Sequence, residues 1–114
     1  MQSLERQAEL LACMVNYPTL LIEEMDKLQG AYHSQDLEAL WKFYTAEDPD
    51  DPCPSSEEEK YALNGARNEK WLEKLPAIMS EKPSFIAVGC LHLPGEEGLI
   101  EGLRRMGYKV EPVR

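Results

Sequence analysis

The chain has 114 residues, 43% of them apolar, and a formal net charge of −9. That length allows one domain with a modest core, and the apolar fraction excludes wholesale disorder. The acid excess excludes nonspecific binding to nucleic acid or anionic membranes, which needs clustered Lys and Arg. Seven of the 21 acids fall between Glu47 and Glu59, so much of the charge is a local patch. No apolar run approaches the roughly twenty residues of a membrane span. The polar start Gln2-Ser3-Leu4-Glu5-Arg6 lacks the layout of a signal peptide.

Helical periodicity dominates the first eighty residues. Leu4, Ala8, Leu11 and Val15 form an apolar stripe behind a cap at Ser3. Pro18 suits the first turn of a second helix, with Leu21, Met25, Leu28 and Tyr32 on one face and Gly30 near its end. Ser34 is read as opening a third helix, whose stripe is Leu37, Leu40, Trp41 and Tyr44. Residues 1–46 therefore read as a helical segment. Residues 47–54, with three prolines and four acids, read as an acidic loop. That loop has no glycine at the turn and does not match a calcium-binding loop.

Ser55-x-x-Glu58 has the form of a capping box and restarts the helix pattern. It runs to about Ser80, with a break at Asn64-Gly65 and with Pro76 expected to kink or shorten it. Arg67 and Trp71 share one face, and Asn68 lies between the exposed and buried sides. A solvated helix start beside a core tryptophan would explain all three.

The last thirty residues change character. Phe85–Val88 is a continuous apolar run that reads as a strand buried on both faces. A short helix is expected over Gly95–Met106 with Gly107 as its C-cap, and a second strand over Lys109–Val113. Glu96 and Glu97 suit the N-terminus of that helix as capping acids. The fold class expected is α+β, mostly α: several helices, then a C-terminal strand-helix-strand unit over the last part of segment 55–114. Two strands are marginal alone. The sheet is therefore expected to be completed by missing sequence or by a second copy of the chain.

Cys13, Cys53 and Cys90 are odd in number and contain no CxxC pair, which excludes a cysteine zinc site. One disulfide is open to them but cannot be read from the sequence, and free thiols are the preferred reading. His33 is read as a surface residue. His92 is the remaining histidine, in Gly89-x-x-His92-Leu93-Pro94-Gly95 at the end of the expected strand. Metal ligation, general-base action or donation to an oxyanion would each suit it there, as would a structural hydrogen bond. A metal site needs three or four ligands, and the chain offers one other histidine. A Gly89→Ala change is expected to disturb the turn.

Arg67-Asn68-Glu69-Lys70-Trp71, then Phe85 through Leu99 with its Gly-x-x-His, then Arg105-x-Gly107-Tyr108-x-Val110-Glu111-Pro112-Val113 resemble the C-terminal half of the TraB/GumN family. That family includes pheromone-shutdown proteins and is similar to the Tiki metalloproteases. The helices beginning at Ser3 resemble its helical insert. The resemblance implies a metal-dependent hydrolase, with a peptide as a candidate substrate. It implies a site of two Gly-x-x-His motifs, one in each half, an acid from the first half, and Arg and Asn from the second. Gly89 and His92 would be the second motif, with His92 the metal ligand or base. Arg67 and Asn68 would be the electrostatic or substrate-orienting pair. The metal implied is divalent: manganese, cobalt or zinc. The first motif has no counterpart here, so the isolated chain is expected to be inactive, and the missing half or a second copy is the expected partner. The resemblance also suggests a bacterial, exported or envelope-associated protein. The alternative is a noncatalytic helical interaction module that pairs with another chain, His92 being structural.

Overall fold

The computed structural model describes residues 2–113. Among them lie six α-helices and one 3₁₀ turn, and no strand. The chain divides into two compact units, one running to Glu59 and the other beginning at Lys60.

In the first unit, α1 spans Leu4–Asn16, α2 Pro18–His33 and α3 Leu37–Thr45. Ser3 caps α1 as expected: its Oγ accepts from the Arg6 amide at 3.1 Å. Pro18 occupies the first turn of α2, where its missing N–H costs nothing. Gly30 does not end this helix, which continues to His33. Ser34 closes α2 rather than opening α3, its hydroxyl donating to the Ala31 carbonyl. Asp36 caps α3 through Oδ1, 3.0 Å from the Ala39 amide. Ala31 and Leu40 are the buried apolar residues of this unit, and most of the α1 stripe stays exposed, Leu4 by 83%.

The free-thiol reading fails at two positions. Cys13 on α1 and Cys53 in the acidic loop form a disulfide, leaving Cys90 as the free thiol. A linear pattern cannot reveal such a pair, because the two cysteines are separated by 40 positions and only folding brings the loop back beside α1. Nearby, Arg6 makes an ion pair with Glu59 at 3.1 Å and donates to the Pro54 carbonyl at 2.9 Å.

The capping box exists, one residue later than expected. Ser56 Oγ accepts from the Glu59 amide and Glu59 Oε1 accepts from the Ser56 amide, both at 3.1 Å. Ser55/Glu58 and Ser56/Glu59 fit the pattern equally; the ion pair with Arg6 belongs to Glu59. The helix started here, α4, spans Glu57–Leu63, and the unit boundary falls within it.

In the second unit, Asn64 interrupts the helix as expected and α5 runs Gly65–Glu81. The helix extends past Pro76 without ending. A 3₁₀ turn covers Cys90–His92, and α6 spans Leu99–Arg105, shorter than the helix expected over Gly95–Met106. Gly107 closes α6 with φ +96°: its amide bonds the Arg104 carbonyl and the Tyr108 amide bonds that of Leu103. This is the paired-bond C-terminal motif that glycine permits. Gly98 precedes α6 without a side-chain cap, so Glu96 and Glu97 do not cap it.

The expected strand-helix-strand unit is not formed. Residues 83–89 and 108–113 are nonhelical and make no ladder. Phe85 is 94% exposed and Val113 fully so, the opposite of a strand buried on both faces. A strand is stable only when neighbours take its N–H and C=O groups. Here the Val110 carbonyl instead accepts from Arg104 Nη2 at 2.9 Å. The unit is helical, with α5 packed on α6: Leu75 and Leu99 are buried, and Gly102 gives Leu72 its space.

Candidate functional site

The second unit gathers Arg67, Asn68 and His92 around the junction of α5 with the Gly89–Gly98 segment. His92 is carried by the 3₁₀ turn, whose amide bonds the Gly89 carbonyl at 3.0 Å. Gly89 itself is at φ −60°, ψ 143°, a conformation open to any residue. A Cβ there would meet only the His92 ring, at 3.6 Å. The expectation that Gly89→Ala disturbs the turn is therefore overturned. Within the Gly89–Gly98 segment the glycine with a backbone requirement is Gly95, at φ +85°.

Asn68 is completely buried. Its Oδ1 lies 2.9 Å from His92 Nδ1. Its amide nitrogen donates to Asn64 Oδ1 and to the Glu97 carbonyl, each at 2.8 Å. Asn64, itself buried, donates from Nδ2 to the Leu91 carbonyl at 2.7 Å. Every polar side-chain atom buried among the described residues has a partner, as a fixed polar network requires. Asn68 thus has no exposed surface here, and its Oδ1 faces the His92 ring.

The other side of the histidine is aromatic. Trp71 meets its ring edge-on, 4.7 Å between centroids and 65° between planes. Arg67 stacks over Trp71 with its Cζ 5.1 Å from the ring centroid. Arg67, Trp71 and His92 line a groove of about 600 Å³ whose remaining wall includes Ile78, Ile86 and Val88. Partial burial, and secondarily the Arg67 charge, hold the His92 pKa below its usual value. Both effects favour the neutral imidazole, its useful state for ligation or proton acceptance.

Asn64 is read in the sequence as a helix break and not as a site residue. The signal was present: two asparagines four apart in a helical stretch, a residue type that weakens helix interiors unless its side chain is engaged. Glu97 enters through its backbone carbonyl, which no side-chain pattern reports. His33 is exposed, as read from the sequence.

The family model described as the TraB/PrgY/gumN family matches residues 1–112. The chain belongs to that family. The match takes in the N-terminal helices as well as the stretch that carries the resemblance, from Arg67 as far as Pro112. Neither the curated proteins nor the solved structures gave a match to this TraB/PrgY/gumN chain. No helix among its described residues is long and apolar enough to cross a membrane. Among those residues, no group of three His, Cys, Asp or Glu side chains is placed to hold a metal ion. The residues described thus do not fit a resident metal by themselves, since His92 would supply one ligand where three or four are needed.

Proposed function

We propose that this chain is the C-terminal part of a TraB/GumN-like hydrolase that cleaves peptides with the help of a divalent metal, and that its contribution is the His92 half of the site. The supporting observation is the setting of His92. Its ring lines the groove, Nδ1 is engaged by a buried amide, and Arg67 stands on the same wall. His92 serves as one metal ligand or as general base, and the remaining ligands come from outside the described residues. Arg67 supplies positive charge where an oxyanion would develop. Asn68 positions His92. The isolated 114 residues are inactive. The Cys13–Cys53 disulfide supports an oxidising compartment, as for an exported protein.

Titrating manganese, cobalt or zinc into the full-length parent protein and its His92→Gln variant tests this reading. The expected result is binding that weakens at least about tenfold in the variant, the loss of one ligand from a small set. Binding that ignores His92, or none at all, would sink it.

One observation favours a second reading, a noncatalytic interaction module. The α1 stripe presents Leu4, Leu11 and Val15 to solvent at 83, 64 and 69% exposure. Amphipathic faces of this kind commonly mark partner surfaces. A second Gly-x-x-His in the parent sequence favours the hydrolase; its absence favours the module.

A further inference from the structure

Carbonyl oxygens only accept hydrogen bonds, and this fixes the direction of each link between Leu91 and His92. The Leu91 carbonyl, 2.7 Å from the Asn64 amide, requires Nδ2 at that position. Asn64 Oδ1 is thereby turned toward Asn68, 2.8 Å from its Nδ2. The other hydrogen of that amine goes to the Glu97 carbonyl. With both hydrogens taken, Asn68 has only Oδ1 left for His92, 2.9 Å from Nδ1. Flipping either amide would set two oxygens face to face, at Leu91 for Asn64 and at Glu97 for Asn68.

We infer that Asn64 and Asn68 are positioning residues, an amide relay that fixes His92 as its Nδ1–H tautomer and leaves Nε2 as the nitrogen with a free lone pair. An acceptor oxygen opposite Nδ1 requires a hydrogen on Nδ1, and the neutral ring then has one lone pair, on Nε2. Asn64 is one link further out. It accepts one hydrogen of the Asn68 amide and Glu97 the other, so two acceptors determine the orientation of one amide. The relay is assembled from three separate stretches: the α4–α5 junction, the 3₁₀ turn and the turn before α6. Forming it therefore couples the tautomer to the folding of the whole second unit. The value of a free Nε2 to catalysis rests on the hydrolase reading; the tautomer itself does not.

The test is nitrogen-15 NMR of the 114-residue chain labelled at histidine, recorded at about pH 8, above the usual histidine range. Only His33 and His92 contribute, and His92→Gln assigns them. His33 is exposed and its ring contact is with the neighbouring Tyr32 ring, so it serves as the internal reference. The expected result is an excess of the Nδ1–H form at His92 of about tenfold, the bias one buried hydrogen bond supports. Asn68→Ala should return His92 to the His33 pattern, and Asn64→Ala should reduce the excess without abolishing it. Should Asn68→Ala unfold, the wild-type and Asn64→Ala spectra still decide. A His92 in the Nε2–H form, or averaged like His33, in the wild type would overturn the inference. So would an Asn64→Ala spectrum identical to wild type, as regards Asn64. A fixed tautomer without metal binding by the parent would sink the hydrolase reading alone. Metal binding through His92 with a free tautomer would sink the relay alone.

Discussion

Asn68 Oδ1 sits 2.9 Å from His92 Nδ1, and Asn68 is the one large side chain among the described residues that is wholly buried. A buried amide of this kind is stable only while every polar atom is satisfied, so removing it should be expensive. Asn68→Ala leaves Asn64 Oδ1, the Glu97 carbonyl and His92 Nδ1 without their partner. The expected cost is about 2–4 kcal/mol, from the desolvated groups left behind. Urea unfolding followed in the second unit, for example by Trp71 fluorescence, measures it. A cost below about 0.5 kcal/mol would mean that water replaces the amide.

Two glycines near the site should respond in opposite ways. A Cβ at Gly98 would lie 2.2 Å from the Pro94 carbonyl oxygen and 2.4 Å from that of Leu93, both backbone atoms. Gly98→Ala should therefore destabilise by about 2 kcal/mol or more. Gly89→Ala meets only ordinary contact and an allowed backbone, so it should be within about 1 kcal/mol of wild type and can even stabilise. Thermal unfolding midpoints of the two variants make the comparison. Equal losses would contradict it.

Acid should weaken the first unit through Glu59. The Arg6 guanidinium, helped by the Ser56 amide, holds this carboxyl at about 2, below the usual 4.5. A folded-state value lowered in this way adds stability that is fully present above about 4.5 and is lost as pH falls toward about 2. The stability difference between wild type and Glu59→Gln should thus be steady near neutrality and shrink over that acid window. Denaturant midpoints at several pH values test it, and a difference indifferent to pH would contradict the pairing.

The Cys13–Cys53 bond closes a loop with a sequence separation of 40. Chain entropy then gives it roughly 4 kcal/mol of stabilisation of the first unit. Thiol titration of the denatured chain should find one reactive cysteine, Cys90, before reduction and all three after it. Three before reduction would restore the free-thiol reading.

What the sequence disclosed was local. Ser3 as a cap, Pro18 in the first turn, the break at Asn64 and the Gly107 cap each follow from one residue's backbone chemistry, and each is found. What it concealed was long-range. Phe85–Val88 has strand composition, yet composition cannot supply the ladder partners that make a strand, and the segment forms no regular element, with Phe85 94% exposed. The Cys13–Cys53 pair joins residues 40 apart, and the Asn68–Glu97 bond joins residues 29 apart through a backbone carbonyl, so no periodicity marks either. Arg67, Asn68 and His92 were each singled out, and the structure sets them side by side. Not legible in the sequence was that Asn68 is buried with its Oδ1 against His92 Nδ1.

His92 as a ring with Nδ1 occupied and Nε2 on offer is most directly tested by following both nitrogens while zinc is added to the histidine-labelled full-length protein. The resonance of Nε2 should move on zinc addition while the Nδ1 proton, bound to Asn68, persists. Zinc that perturbs Nδ1, or leaves both His92 nitrogens where they were, would contradict the role assigned to this residue.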